Sequence, residues 1–168
     1  SLKWLQKAQT MLVSSIETAV DDERHVLRQQ LGEVLLTMSD CLMLTGHPTE
    51  ALEEAEKARG LGASVADTRI QVRSLIVMAH AFFARGNILQ SQRRAQEARQ
   101  LAHRHGFEVE RAVALSLEAQ ALGRTGAMED AQDKWVEAVR ILDGLGQPVE
   151  YAEVQLRLGN FHFREENY

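Results

Sequence analysis

Apolar residues recur along the chain at the three- and four-residue spacing of one helical face, and the pattern breaks at short, regular intervals. The breaks predict eight helices, at about 2–19, 22–45, 48–61, 65–85, 88–104, 108–125, 128–143 and 148–165. No stretch shows the apolar–polar alternation of a half-buried strand. The punctuation is that of helix ends. Gly46 stands two residues before Pro48, and Gly146 two before Pro148. A glycine there closes one helix, and a proline, whose missing N–H costs nothing in a first turn, opens the next. Asn87 with Gln90, and Ser64 with Asp67, have the spacing of capping boxes. Short connections pair neighbouring helices antiparallel.

The helices also repeat. Gly46, Gly86 and Gly126 stand at intervals of 40 residues, each between two helix-patterned stretches. The segments SDCLMLTGHPTEALEEAEKA, AHAFFARGNILQSQRRAQEA and AQALGRTGAMEDAQDKWVEA align around them without gaps. Ala51, Ser91 and Ala131 are equivalent, as are Ala55, Ala95 and Trp135, and Ala58, Ala98 and Ala138. Steps of four and three place these on one face of the second helix of each pair. Ser39, Ala79, Ala119 and Gly159 form the matching small position on the first helix. Where Trp135 replaces alanine, a gap elsewhere in the stack must receive it. Equally spaced hairpins of this kind predict a stacked array.

Residues 2–19 read as a second helix without its first, with Ala8, Met11 and Leu12 at the positions of Ala138, Ile141 and Leu142. The last segment reads as a first helix without its second. Its apolar face, Val154, Leu158 and Phe161, is expected to lie open and to favour self-association. The expectation is one array over residues 1–168, about four units long, incomplete at both ends and cut from a longer array.

This pattern resembles the tetratricopeptide repeat: a small residue on the first helix, glycine at the turn, then alanine, a packing residue and alanine again. Leu158-Gly159-Asn160-Phe161-His162-Phe163 is most similar to that family's first-helix consensus. The repeat of 40 residues is longer than the family's usual one, and the proline that normally ends the second helix is absent. It looks like the extended variant found in sensor arrays of large bacterial signalling ATPases and LuxR-type transcriptional activators, and also in kinesin light chains and cell-polarity adaptors. The resemblance implies an all-α, right-handed solenoid of antiparallel hairpins, acting as a non-enzymatic protein-interaction or scaffolding module within a larger bacterial regulator. It also implies that the first helices line a concave groove. By position, that groove would carry Asp40, His80, Gln120 and Asn160 at one level, Arg124 and Arg164 one turn further on, and Arg73 two turns earlier. The arginines make an acidic protein or peptide segment, or another domain of the same protein, the natural occupant. Two alternatives remain open: a small-molecule effector pocket lined by His80, Phe83 and Gln120, and an oligomerisation module working through the open ends.

Composition adds exclusions. Apolar residues make up 45% and charged residues 26%, a globular balance, while aromatics are only 5%, so small and aliphatic side chains must fill the core. The net charge of −5 argues against broad binding to nucleic acid. One cysteine, Cys41, permits no intrachain disulfide and reads as a buried structural thiol. No phosphate-binding loop, CxxC, HExxH or GxSxG motif occurs, so neither a cofactor, a metal nor a catalytic residue is expected. The carboxylates read as helix-start residues or as i,i+4 partners, such as Glu53–Lys57 and Asp130–Lys134. His103 and His105 suit a helix C-terminus. The start of the chain lacks the apolar core of a signal peptide, and the longest apolar run, Leu75–Ala84, is too short to span a bilayer. A cytoplasmic protein without membrane contact is the expectation.

Overall fold

The computed structural model describes residues 2–165 as backbone and 2–161 as side chains. Those residues form α1 (Leu2–Thr18), α2 (Asp21–Leu44), α3 (Pro48–Ser64), α4 (Thr68–Ala84), α5 (Ile88–His105), α6 (Glu108–Arg124), α7 (Met128–Leu145) and α8 (Pro148–Glu165), with no strand among them. The fold is an all-α helical solenoid. α2, α4, α6 and α8 lie side by side as an inner layer, and α3, α5 and α7 each pack between two successive members of it.

The helix ends fall within two residues of the sequence expectation except at the boundary between α3 and α4. α3 continues through Ser64, whose hydroxyl donates back to the Leu61 carbonyl at 2.8 Å. The cap of α4 is Asp67, whose carboxylate accepts from the Ile70 N–H at 3.0 Å. Ser64 and Asp67 therefore form no capping box. Asn87 does cap α5, accepting from the Gln90 N–H at 3.3 Å.

The turns repeat twice as often as the sequence repeat suggested. Residues 46, 66, 86, 106, 126 and 146 all have positive φ, so turns between hairpins use the same geometry as turns within them. Each carries a paired closure; Gly86 N–H bonds to the Phe83 carbonyl at 2.9 Å and Asn87 N–H to that of Phe82 at 2.9 Å. This Schellman arrangement satisfies the last carbonyls of the helix. Five of the six positions are glycine, and the sixth is Ala66 at φ 52°, where a side chain is strained.

The small-residue layers are buried except at Gly159, which is exposed on α8. Ala51, Ser91, Ala131, Ala55, Ala95, Ala58, Ala98 and Ala138 are 0% exposed, as are Ser39, Ala79 and Ala119. These residues let adjacent helices approach closely. Two larger apolar clusters fill the rest. One runs through α2, α3 and α4, around Leu35, Leu36, Ile70 and Met78. Leu5, Leu12 and Ile16 of α1 pack on it, whereas Met11, expected inside, is 62% exposed. The other joins α6, α7 and α8. Trp135 is fully enclosed there, in room left by Ala112, Ala119 and Ala131, with its indole N–H unpartnered.

On the face expected to lie open, Val154 is enclosed in this second cluster, and Leu158 and Phe161 pack against it partly buried. The exposed apolar residues of α8 are Val149 and Leu156. Phe161 lies so close to Gly123 that a Cβ on that glycine would stand 2.2 Å from the ring. Two expected ion pairs are also replaced: Lys57 meets Glu54 at 2.7 Å rather than Glu53, and Lys134 meets Glu118 at 3.1 Å rather than Asp130. Cys41 is half-buried rather than enclosed. Among the described residues no helix is long and apolar enough to cross a membrane.

Candidate binding groove

The inner layer brings α2, α4, α6 and α8 around one open groove with a cavity of about 320 Å³. Its floor is aliphatic, including Ile76, Val77, Val109 and Val113, and its rim is charged. Asp40 comes from α2, Arg73 and His80 from α4, Glu110 from α6, and Glu150, Glu153 and Arg157 from α8. The helices can carry these groups at fixed positions because the small-residue layers hold the backbones in register.

The arginines are engaged. Arg73 Nη1 donates to Glu33 Oε2 at 2.6 Å, and Arg69 Nε to Glu110 Oε1 at 2.7 Å. Arg157 donates to Glu153 and, at 3.2 Å, to Ser116 Oγ. Burial pushes the Arg157 guanidinium below its ordinary range, and Glu153 opposes that shift. The hydrogen bond and the charge of Glu110 hold Arg69 above its ordinary range. His80 is half-buried. Burial first, then the charge of Arg157, lowers its pKa, against the pull of Glu153. Asp40 keeps a face to solvent, but the surrounding groove wall raises its pKa, with Arg73 acting the other way.

Of the residues expected in the groove, the structure gathers Asp40, Arg73 and His80. Gln120, Arg124 and Asn160 do not line this cavity. Gln120 is half-buried with its Oε1 unpartnered, Arg124 sits 5.9 Å over the Phe83 ring, and Asn160 is exposed. The Arg164 side chain lies outside the described residues. Phe83 and Gln120 thus do not line the cavity that His80 lines.

The sequence reading missed Glu110, Glu150, Glu153 and Arg157, and it missed Glu118. Glu118 is 2% exposed and accepts from Arg99 Nε at 2.8 Å and Gln96 Nε2 at 3.3 Å, with Lys134 at 3.1 Å. The 40-residue register carried a signal for one of them. It equates Glu118 with Met38, Met78 and Leu158, placing a carboxylate where the other repeats have apolar residues, whereas Glu110 has Gln30 and Glu150 among its equivalents. Among the described residues no cluster of three or more His, Cys, Asp or Glu side chains is arranged to hold a metal ion.

No family model matches this chain, and no curated protein does. Among solved structures, the crystal structure of BtubC (BKLC) from P. vanneervenii is similar over 96% of this chain, with a TM-score of 0.71 and 16% sequence identity. This chain spans 66% of that one. At such an identity the likeness is one of fold, and it covers nearly the whole chain.

Proposed function

We propose that this chain is a tetratricopeptide-like, non-catalytic interaction module whose inner groove holds an extended segment of a protein. The observation that supports this best is the groove itself. Its charged side chains project from four helices whose spacing is fixed by residues with no exposed surface. A surface built in advance loses little conformational freedom when it is occupied. The charged rim and open shape suit a peptide backbone with side chains better than a small apolar effector, which favours a closed pocket. In this reading the module works in the cytoplasm as the sensing part of a larger regulatory protein, and occupation of the groove is the sensed event.

Selection of displayed random peptides on the purified protein tests the reading. Bound peptides should perturb the side-chain NMR signals of His80 and leave those of His103, exposed at the end of α5, unchanged. Peptides that map instead to His103, or the recovery of none, would refute it.

One observation favours assembly as a second reading. Leu156 is 67% exposed on α8, while its register equivalents Leu36 and Ser116 are buried and Ile76 is half-buried beside following helices. That strip would accept one more helix packed as α8 packs on α6, where Arg157 reaches Ser116. Leu156→Asp should lower any concentration-dependent sedimentation, and an unchanged profile would remove this reading.

A further inference from the structure

The sequence suggests a groove of free arginines, and the structure reverses that picture. Arg73, Arg69 and Arg157 each have a carboxylate of their own, in Glu33, Glu110 and Glu153. With those three pairs set aside, the groove keeps two acids, Asp40 and Glu150, that form no ion pair among the described residues, Asp40 feeling only the charge of Arg73, which is already paired with Glu33. His80 adds no cation at neutral pH, because its pKa is lowered. The groove therefore has surplus negative charge.

A second observation points to what would neutralise it. Glu110 lines the same groove, is only 9% exposed, and spends one oxygen on Arg69. Its other oxygen, Oε2, is buried with no hydrogen-bond partner. An unsatisfied carboxylate oxygen away from water is costly, and a donor brought by a ligand removes that cost. Ile76, Val77 and Val109 add an aliphatic strip beside these acids. An alkyl stem ending in a cation matches that combination of an apolar wall and acceptors at its edge.

We propose that the groove selects a basic protein segment: an arginine or lysine side chain of the partner enters it, its head held by Asp40, Glu110 and Glu150 and its stem lying along Ile76, Val77 and Val109. This rests on the reading of the groove as a peptide site, and it assigns the charge class of the occupant. The raised pKa of Asp40 is in keeping with it, since a nearby cation would restore the ionised form.

The test uses three fluorescein-labelled peptides of equal length, in which alanine alternates with arginine, glutamate or glutamine, and reads fluorescence anisotropy. The arginine peptide should bind, and binding should weaken as salt is raised to physiological strength. Asp40→Asn with Glu150→Gln preserves shape and removes two charges, and it should weaken binding about tenfold. Glu56→Gln with Glu129→Gln removes the same charge at exposed positions on α3 and α7 and should leave affinity unchanged.

An equal loss in both double variants would overturn the proposal by reducing it to overall charge. Preference for the glutamate peptide would also overturn it, while leaving the groove reading standing. If none of the three peptides bound, the groove reading would fall as well. Displacement of the arginine peptide by spermidine at equal concentration would identify a free-amine site and would likewise overturn it.

Discussion

The second and third hairpins, α4–α5 and α6–α7, share a turn geometry and, apart from Trp135 in place of Ala95, the same enclosed small positions, yet they fill other inward positions with opposite chemistry. In α4 the inner positions are Ile70 and Met78, at 0% and 1% exposure. In α6 the equivalents are Glu110 and Glu118, at 9% and 2%. Ile70 needs only neighbours. Glu118 needs donors and takes three, from Gln96, Arg99 and Lys134. The backbone is therefore set by the turns and by the layers of alanine and serine. The remaining inward positions are free to carry either oil or paired charge, as long as the charge is satisfied.

Exchanging residues between the two hairpins tests that statement. The largest effect is expected at Glu118. Glu118→Ala leaves Arg99 and Lys134 without their carboxylate and opens a void, and should cost about 3 kcal/mol in urea unfolding. Glu118→Met installs the α4 residue and should cost less than half as much, because both cations are partly exposed and can turn to water. If methionine were as damaging as alanine, the two interiors would not be interchangeable.

Next comes Gly123, which stands where α4 has Phe83. Gly123→Ala drives a Cβ to 2.2 Å from the Phe161 ring. The clash should outweigh the gain in helix propensity, for a net loss of about 1 kcal/mol, and should speed amide exchange in α8. In a Phe161→Ala background the clash is gone and the sign should reverse.

A smaller and opposite change is expected at the turn entering α4. Ala66→Gly copies the turn entering α6, where Gly106 sits at φ 71°. Relief of the left-handed strain should exceed the added freedom of the unfolded chain and raise stability by about 0.5 kcal/mol. A lower melting temperature would show that Ala66 is not strained.

The smallest effect concerns acid. His80 occupies the position that Gln120 holds in α6. Its folded pKa lies below that of the unfolded chain, so the unfolded state takes up the proton first. Its contribution is complete above about pH 6.5 and declines as pH falls towards the lower folded value. His80→Gln should flatten the stability profile in that interval. Asp40 works in the opposite direction and lower on the scale. Its raised pKa stabilises the fold below the ordinary carboxylate range, and the effect fades as pH rises through the folded value.

The helices and their small-residue layers could be read directly because glycine, proline and alanine carry their structural reasons in their own chemistry. Asn87 could be read as a cap for the same reason. Ser64 could not, since its hydroxyl had a competing partner one turn back in α3. In the groove, Asp40, Arg73 and His80 followed from register. The pairing of Arg73 did not, because Glu33 lies 40 residues earlier and is brought beside it only by stacking. A lone arginine in a helical pattern reads as available, and a lone glutamate reads as solvated. Arg157 and Glu110 break both habits, and the charge class proposed for the occupant departs from the sequence expectation at that point.

The enclosure of Trp135 has a practical outcome. The chain has two tryptophans, one at each end of the stack, and Trp4 is 70% exposed. A change in emission wavelength on unfolding will therefore report mainly on α6, α7 and α8, while circular dichroism reports on every helix. Because the two apolar clusters are distinct, any separation between those melting curves measures how strongly one half of the array holds the other in place.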